Sequence, residues 1–575
     1  MKKIFWVWVG ILLLAAGLRF WVIGKYPAEM DMDEAANGYY AYSLLSGGRD
    51  EYGNLWPVYF PSNGDYKPAG YAFASTLWVK LGGLSEISTR LASAVAGVLA
   101  VALIGVLGWK LSGKPKVGRY SAAVMAVMPW HIWMSRGAYE VNLGLTMLLL
   151  TITVLVCMKN RRGYILAAVV FGIWAELTYP TARWMVMALA AGTAGWGVMK
   201  KKYFLTAAMA GLLIAGGWGM LAKGAGARTG QTISWVARAP ELKTQTLDRI
   251  REDGQAEWRQ PLWVTRAFHN KAVAAVADIG ERYITYFNPG YLFVSGDPRP
   301  RFNFIQVGPL LLVFLPLILA GLVSRQGANK IWWAAVGWWL VGTIPAAVSN
   351  ENYHLLRHEA ALPGIVMLIG YGWWVITEKI GNSRVRQVVT GLAAVAIVVN
   401  LAVVADYYIV HKNYFRPWYS DGGTKEMVQT ASGMLGDYEG AAISRDQYVY
   451  WAFYNRIDPE EFRRDLRLEE GAGEYDWERV AGWRNLRFKM PSDCPKLGKR
   501  NILYICRGTE VPQNAQVLKI FRFNDGVPAY TLIRFLGLGE KFDTSLPERV
   551  TRMTEVDLRF GKEGLLPADY PKYWL

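Results

Sequence analysis

Two neighbouring stretches near the N-terminus decide the fold: the apolar run IFWVWVGILLLAAGLRFWVIG at residues 4–24 and, six residues later, DMDEAANGYYAYSLL at 31–45. The run has the length of about 20 residues that a helix needs to cross a hydrocarbon core. Its length and the lack of a small-residue cleavage site indicate an uncleaved signal anchor. The composition agrees, since 53% of the 575 residues are hydrophobic and only 19% are charged. The sequence therefore predicts a polytopic α-helical membrane protein and excludes the fibrous, disordered and disulfide-scaffold classes.

Further apolar runs predict about eleven transmembrane helices in all. They lie at residues 4–24, 90–109, 120–135, 141–158, 163–178, 183–199, 203–222, 305–323, 331–349, 360–377 and 387–408. Most of the formal charge of +17 comes from Lys and Arg in short segments on one side of these runs, where only Glu378 opposes them. Because basic short loops mark the cytoplasmic face, we predict a multi-pass protein of the cytoplasmic membrane with its N-terminus inside. This distribution argues against nucleic acid as a partner.

The long connections all fall on the predicted outer side. Residues 1–410 form a predicted transmembrane domain with outer loops at 25–89 and 223–304, and residues 411–575 form a small extracytoplasmic α/β domain. In the first loop, ANGYYAYSLLSGG (36–48) and AGYAFASTLWVKLGG (69–83) are expected to be helices along the outer interface. In the tail, AAISRD (441–446), NILYICRG (501–508) and a hairpin at 517–536 turning at Asn524, Asp525 and Gly526 are expected to be strands. Cys494 and Cys506 are equally compatible with a bridge and with free thiols.

Three carboxylates, Asp31, Asp33 and Glu34, follow the first apolar run. Crowding and partial desolvation suit one of them to accept a proton from a hydroxyl. The alternative is helix capping, which needs no catalytic role. Asp31 and Asp33 also form a D-x-D pattern, but no third metal ligand can be assigned, so we predict no metal.

Lys67 in DYKPAGY (65–71) is the second candidate in the same loop. A lysine at the outer boundary can neutralise a lipid phosphate, and Pro68 is expected to open the next helix and fix the direction of Lys67. The alternative is that Lys67 snorkels toward ordinary headgroups.

A series of motifs now points to one family. These are DEAANGYYAYSLL (33–45), KPAGYAF (67–73), TRLASAVAGVLAV (89–101), PWHIWMSRGAYEVN (129–142), YLFVSGDPRPRFNF (291–304) and ENYHLLRHEAALPG (351–364). Together they resemble the GT-C superfamily of membrane glycosyltransferases, and most closely the family that joins protein O-mannosyltransferases with aminoarabinose transferases of lipid A. The resemblance covers about two thirds of the chain and implies a GT-C fold.

The resemblance implies an activity and its residues. A sugar would move from a polyprenyl-phosphate carrier to a protein, lipid or glycan acceptor, with inversion and without a cofactor, in contact with membrane lipids. Asp33 matches the family's catalytic base, while Lys67, Arg357, His354 and Arg301 are the candidates to bind the donor phosphate. The supporting candidates are Asp31, Glu34, Tyr40, Tyr66, Arg136 and Glu140.

Simpler interpretations stand beside these assignments. Arg357 at the outer end of a span is equally compatible with an interfacial anchor. Arg136 and Glu140 have the spacing of an i,i+4 helix pair, which we favour over a supporting contact to the first loop. A polytopic transporter and a membrane-anchored sensor or assembly protein remain alternatives to an enzyme.

Overall fold

The structure is a computed structural model of the chain. It describes residues 2–28, 30–62, 65–157, 161–221, 233, 238–255, 261–298, 307–324, 330–411, 422–443, 448–469, 479–488, 490, 492–507, 511–523, 528–537 and 539–547. The candidate Arg301 and the predicted turn at 524–526 lie outside these ranges.

Helices dominate the first 411 residues. In chain order the elements are α1 (Lys2–Phe20), α2 (Met32–Leu45), β1 (Tyr59–Ser62), β2 (Asp65–Pro68), α3 (Gly70–Gly82), α4 (Glu86–Ser112), α5 (Pro115–Ala126), α6 (Pro129–Arg136), α7 (Glu140–Cys157), α8 (Arg162–Glu176), α9 (Pro180–Met199), α10 (Tyr203–Leu221), α11 (Ala239–Gln255), α12 (Leu262–Phe268), α13 (Lys271–Thr285), α14 (Leu315–Val323), α15 (Lys330–Val348), α16 (Leu355–His358), α17 (Leu362–Lys379) and α18 (Ser383–Asp406).

The chain is a multi-pass membrane protein. Among the described residues, six helical segments are long and apolar enough to cross a bilayer: Glu86–Ser112, Glu140–Cys157, Tyr203–Leu221, Lys330–Val348, Leu355–Lys379 and Ser383–His411. Two shorter apolar helices, Ile4–Phe20 and Leu312–Val323, accompany them. The total of eleven spans and the orientation of the N-terminus stay predictions.

The predicted single span at 120–135 is wrong, because the chain forms two short helices there. α5 ends at Ala126 and α6 begins at Pro129, whose ring cannot continue a helix from the preceding turn. Arg19 of α1 donates to the carbonyls of Ala126 at 3.0 Å and Met125 at 3.1 Å. The break therefore receives its missing hydrogen bonds from a buried arginine.

The C-terminal part combines helices with one mixed sheet. Its elements are α19 (Thr424–Met434), β3 (Gly440–Ile443), α20 (Tyr448–Tyr454), α21 (Pro459–Asp465), β4 (Leu466–Glu469), β5 (Arg479–Trp483), β6 (Leu486–Phe488), β7 (Ile502–Arg507), β8 (Ala515–Arg522) and β9 (Pro528–Phe535). The strand order is β4-β5-β6-β3-β7-β9-β8, with β3 parallel to both of its neighbours. Within the described residues, the predicted strands at 441–446, 501–508 and 517–536 are confirmed as β3, β7 and the β8–β9 pair; residues 444–446, 508 and 524–527 lie outside that part of the chain. Cys494 and Cys506 form a disulfide.

The loop at residues 25–89 and the tail from residue 411 share one hydrophobic core. Both stretches predicted as helices in the loop are helical, but α2 is buried along nearly its whole length rather than lying open on a lipid surface. Tyr39 and Ala36 of α2 belong to the same buried cluster as Trp451 and Phe453 of α20. Gly38 permits the close approach, since a Cβ there would lie 2.6 Å from the Phe453 ring and 2.5 Å from Thr89 Oγ1. The tail therefore covers the helix that carries the DEAANGYY motif.

A buried carboxyl group lies in the same contact. Glu51 is fully buried and accepts a hydrogen bond from the Tyr448 hydroxyl at 2.8 Å. Desolvation by burial raises the pKa of Glu51 well above its usual value, and the Tyr448 hydrogen bond offsets only part of this effect. The contact between loop and tail is therefore stable with a protonated Glu51.

We predict that Gly38→Ala destabilises the protein by about 1–3 kcal/mol, because the added methyl group overpacks the α2–α20 contact. The thermal unfolding midpoint in detergent measures the change. Gly17→Ala is the matched control, since a Cβ at Gly17 meets nothing within 4 Å. Equal midpoints for Gly38→Ala and wild type would contradict the shared core.

We predict that stability falls with rising pH above about 4.5, at up to about 1.4 kcal/mol per pH unit, because folded Glu51 keeps a proton that the unfolded chain releases. The fall ends where pH passes the raised pKa of the folded state. Glu51→Gln should remove this slope, whereas Glu460→Gln at the exposed start of α21 should preserve it. Unfolding midpoints measured across pH 4–8 compare the three proteins, and an unchanged slope in Glu51→Gln would refute the assignment.

Candidate functional site

The three carboxylates of the first loop have three different surroundings. Asp31 is the N-cap of α2 and accepts from the backbone N–H groups of Asp33 at 2.8 Å and Glu34 at 3.1 Å. Glu34 completes the capping box by accepting from the Asp31 N–H. The capping alternative is therefore correct for Asp31 and Glu34.

Glu34 has a second and larger role as the partner of Arg90. Its carboxylate lies 2.9 Å from Arg90 Nε and 3.0 Å from Nη2, and both side chains are buried. Glu34 also accepts from the Ala138 N–H at 2.7 Å, while Arg90 donates to the carbonyl of Ile23 at 2.9 Å. The pair ties α2 to α4, to the end of α1 and to the segment before α7.

Asp33, at the start of α2, is paired with Lys67. Asp33 Oδ1 lies 2.6 Å from Lys67 Nζ, and the Asp33 side chain keeps 42% of its exposure while the Lys67 side chain keeps 8%. A buried lysine in contact with carboxylates does not snorkel to headgroups, so the snorkelling alternative is wrong. Lys67 lies on β2 opposite Phe60 of β1, and Pro68 ends β2 instead of opening α3. The hairpin register thus directs Lys67 toward Asp33.

Glu140 provides a second carboxylate for Lys67, at 3.7 Å. It accepts a hydrogen bond from Asn37 of α2 at 2.9 Å. The favoured i,i+4 pair with Arg136 is wrong, because Arg136 donates to the Tyr408 hydroxyl and to backbone carbonyls that include Trp21 and Tyr26. α6 ends at Arg136 and α7 begins at Glu140, so the two residues do not share a helix and the i,i+4 geometry does not form.

His354 is the N-cap of the four-residue helix α16, and Arg357 lies within that helix. Arg357 donates to the Ser349 hydroxyl and, at 3.1 Å, to Asn350 Oδ1, and its Nη2 lies 3.6 Å from Glu351. His354 Nε2 lies 3.5 Å from the same glutamate. The guanidinium is therefore mostly buried and oriented by several acceptors, which is more than an interfacial anchor requires.

One cavity of about 470 Å³ joins these groups. Its charged and polar lining includes Asp33, Lys67, Glu140, Ser349, His354 and Arg357. Its apolar walls come mainly from α9 and α15, with Trp184, Met185, Ala188, Val341, Ile344 and Val348. The cavity therefore combines two carboxylates, two basic side chains and a surface suited to hydrocarbon.

The other candidates lie away from this lining. Tyr40 stacks on Phe60 and donates to the Pro61 carbonyl at 3.4 Å, and Tyr66 pairs with Pro61 across the hairpin. Both tyrosines are buried parts of the loop that carries Lys67. Among the described residues, no group of three or more His, Cys, Asp or Glu side chains could hold a metal ion.

Two contributors were missed at the level of sequence. Arg90 stands in the quoted stretch TRLASAVAGVLAV, where a charge beside an apolar run signals a buried partner. Ser349, the acceptor for Arg357, gives no comparable signal because serine at the end of an apolar helix is common.

The chain has been compared with known proteins. No protein-family model matches it, and no curated protein does. Among solved structures, it is similar to the oligosaccharyltransferase AglB from Archaeoglobus fulgidus in complex with an inhibitory peptide and a dolichol phosphate, at 11% identity and TM-score 0.46 over 80% of this chain and 64% of AglB. It is also similar to ArnT from Cupriavidus metallidurans in the apo state, at 12% identity and TM-score 0.42 over 91% of this chain and 97% of ArnT. ArnT bound to undecaprenyl phosphate gives 12% identity and TM-score 0.37 over 78% and 84% of the two chains.

We predict that Glu34→Gln destabilises the protein by about 3–5 kcal/mol, because it leaves Arg90 as an uncompensated buried charge. The matched control is Glu86→Gln, which breaks the ion pair between Glu86 and Lys425. The Lys425 side chain is half exposed, so this loss should cost about 1 kcal/mol or less. Unfolding midpoints in detergent compare the two variants. A Glu34→Gln protein as stable as the control would show that the buried pair does not support the fold.

Proposed function

We propose that this chain is a GT-C-type glycosyltransferase that moves a hexose or pentose from a polyprenyl-phosphate carrier to a hydroxyl of a protein, lipid or envelope glycan on the outer face of the membrane. The observation that supports this most strongly is the single cavity in which Asp33, Lys67 and Arg357 meet beside apolar walls. The motifs at 33–45, 67–73 and 351–364 support it independently, since they contribute those three residues.

Asp33 is the proposed general base. Its carboxylate lies at the start of α2 and keeps enough exposure to reach an acceptor hydroxyl. The acceptor oxygen attacks the anomeric carbon as its proton passes to Asp33, and the bond from that carbon to the phosphate oxygen breaks. Attack opposite to the leaving group inverts the anomeric configuration.

Lys67 and Arg357 are the proposed partners of the departing phosphate. Charge accumulates on the phosphate as the glycosidic bond breaks, and fixed cations in a poorly hydrated cavity stabilise it most effectively. Arg357 presents a planar fork that suits two phosphate oxygens, whereas Lys67 acts as a point charge. His354, next to Arg357 in the lining, adds a ring nitrogen to the same region.

The observed Lys67–Asp33 pair implies that donor binding precedes activation of the base. Lys67 contacts Asp33 at 2.6 Å and Glu140 at 3.7 Å, so both carboxylates compete with a donor phosphate for the same ammonium. When phosphate draws Lys67 away, Asp33 loses its cation and becomes a stronger base. The donor therefore binds before Asp33 is fully active.

We predict that Asp33→Asn lowers transfer by about 10²–10⁴-fold while polyprenyl phosphate binds at least as tightly as to wild type, because a competing negative charge is removed. Transfer is measured in proteoliposomes with a panel of polyprenyl-phosphate sugars, and affinity with undecaprenyl phosphate in detergent. Lys67→Ala should weaken that affinity by about tenfold or more.

The controls match the charges removed. Asp437→Asn and Lys116→Ala change exposed residues that do not line the cavity. Both variants should preserve transfer and binding. Transfer by Asp33→Asn at the wild-type rate would remove Asp33 from its role. Unchanged phosphate affinity in Lys67→Ala would overturn the phosphate assignment.

A further inference from the structure

The segment from Ser349 to Arg357, here named the arginine turn, brings Arg357 to the cavity. It leaves the C-terminal end of α15, follows an irregular path and enters the four-residue helix α16. Within the segment, Ser349, Asn350 and Glu351 orient the Arg357 guanidinium, so its direction depends on the path of the main chain. Contacts from elsewhere in the chain hold that main chain.

Three side chains from residues 271–297 hold the main chain of the arginine turn. Arg282 of α13 donates to the Ser349 carbonyl. The Tyr286 hydroxyl, four residues further along, accepts from the His354 N–H at 3.0 Å. Asp297 accepts from the Leu355 N–H at 2.8 Å. Both ends of the turn are therefore anchored to one neighbouring segment.

Arg282 is itself held in place by an ion-pair network. Its side chain keeps only 2% of its exposure and pairs with Asp278 one helical turn earlier. The second oxygen of Asp278 lies 2.5 Å from Arg238 Nη1. A guanidinium has five N–H donors, so Arg282 retains donors for the Ser349 carbonyl, which lies just beyond the end of α15.

The same residue, Ser349, links this network to the cavity. Its carbonyl accepts from Arg282, and its hydroxyl accepts from Arg357. A shift of the Ser349 main chain would move the acceptor that orients the Arg357 fork. Bidentate phosphate binding depends on such orientation, and a displacement of about 1 Å can cost two orders of magnitude in rate.

We propose that Arg282 and Tyr286 are positioning residues for Arg357: α13 sets the direction of the phosphate-binding guanidinium through the main chain of the arginine turn. This inference rests on the proposed function, since it assumes that Arg357 binds the donor phosphate. Neither Arg282 nor Tyr286 needs to touch the substrate.

The test measures undecaprenyl phosphate affinity and donor kinetics on the full-length protein in detergent and proteoliposomes. Arg282→Met should weaken undecaprenyl phosphate binding and raise the donor KM by about tenfold, and kcat should fall as well, because Arg357 also stabilises the departing phosphate. Tyr286→Phe, which removes one hydroxyl, should shift KM in the same direction by about threefold. Arg282→Lys should restore part of the loss, and Arg251→Gln on the exposed face of α11 is the control.

A double variant separates positioning from general stability. If Arg282 acts through Arg357, Arg282→Met should add little to the affinity loss of Arg357→Ala, because the positioned group is already absent. Additive losses, or a fall in kcat alone, would overturn the inference. So would wild-type affinity in both Arg282→Met and Tyr286→Phe.

The outcomes also separate this inference from the function on which it rests. If wild type binds undecaprenyl phosphate and Arg357→Ala weakens binding, but Arg282→Met does not, the positioning role fails and the proposed function survives. If wild type does not bind undecaprenyl phosphate, both fail.

Discussion

The buried ion pair between Glu34 and Arg90 is the constraint on which the site depends. Two charges removed from water are costly unless their remaining hydrogen-bonding capacity is used, and here it is used by the backbone groups of Ile23, Pro27 and Ala138. The pair therefore fixes the start of α2 relative to α1, α4 and α7. Because Asp33 immediately precedes Glu34, its position follows from that of the pair. A polar interaction unrelated to substrate thus places the proposed base.

The cavity is assembled from segments far apart in the chain, and each segment is held by its own set of contacts. The β1–β2 hairpin directs Lys67, Asn37 orients Glu140, and α13 holds the arginine turn. The tail acts on the opposite side of α2, where its aromatic residues cover a helix that would otherwise expose tyrosines. The tail is therefore part of the framework of the site, and the division of the chain at residue 410 stays a prediction.

The sequence predicted features that depend on local pattern and failed where distant partners decide. Most of the helical apolar runs, the two loop helices and the described parts of the three tail strands follow from hydropathy and periodicity, and the structure contains them. Pro129 indicates the break in the span at 120–135, but the hydropathy of the whole run does not show it. The separate fates of Asp31, Asp33 and Glu34 could not be predicted, because Arg90 and Lys67 lie 34 residues or more away in sequence. The spacing of Arg136 and Glu140 predicted an ion pair between them. In the structure Arg136 donates to backbone carbonyls near the end of α1, and Glu140 lies near Lys67.

The balance of charge in the cavity limits the ligand that it suits. Lys67 and Arg357 are opposed by Asp33 and Glu140, so the lining holds cations without a large net positive charge. A small soluble anion would gain little from such a balance and nothing from the walls of α9 and α15. A neutral lipid would gain from the walls but would leave the cations paired with carboxylates. A phosphate attached to a long hydrocarbon gains from both, because burial of the chain offsets the cost of separating Lys67 from Asp33. The coexistence of a pre-formed ion pair and apolar walls therefore favours an amphiphilic phosphate over either simpler class.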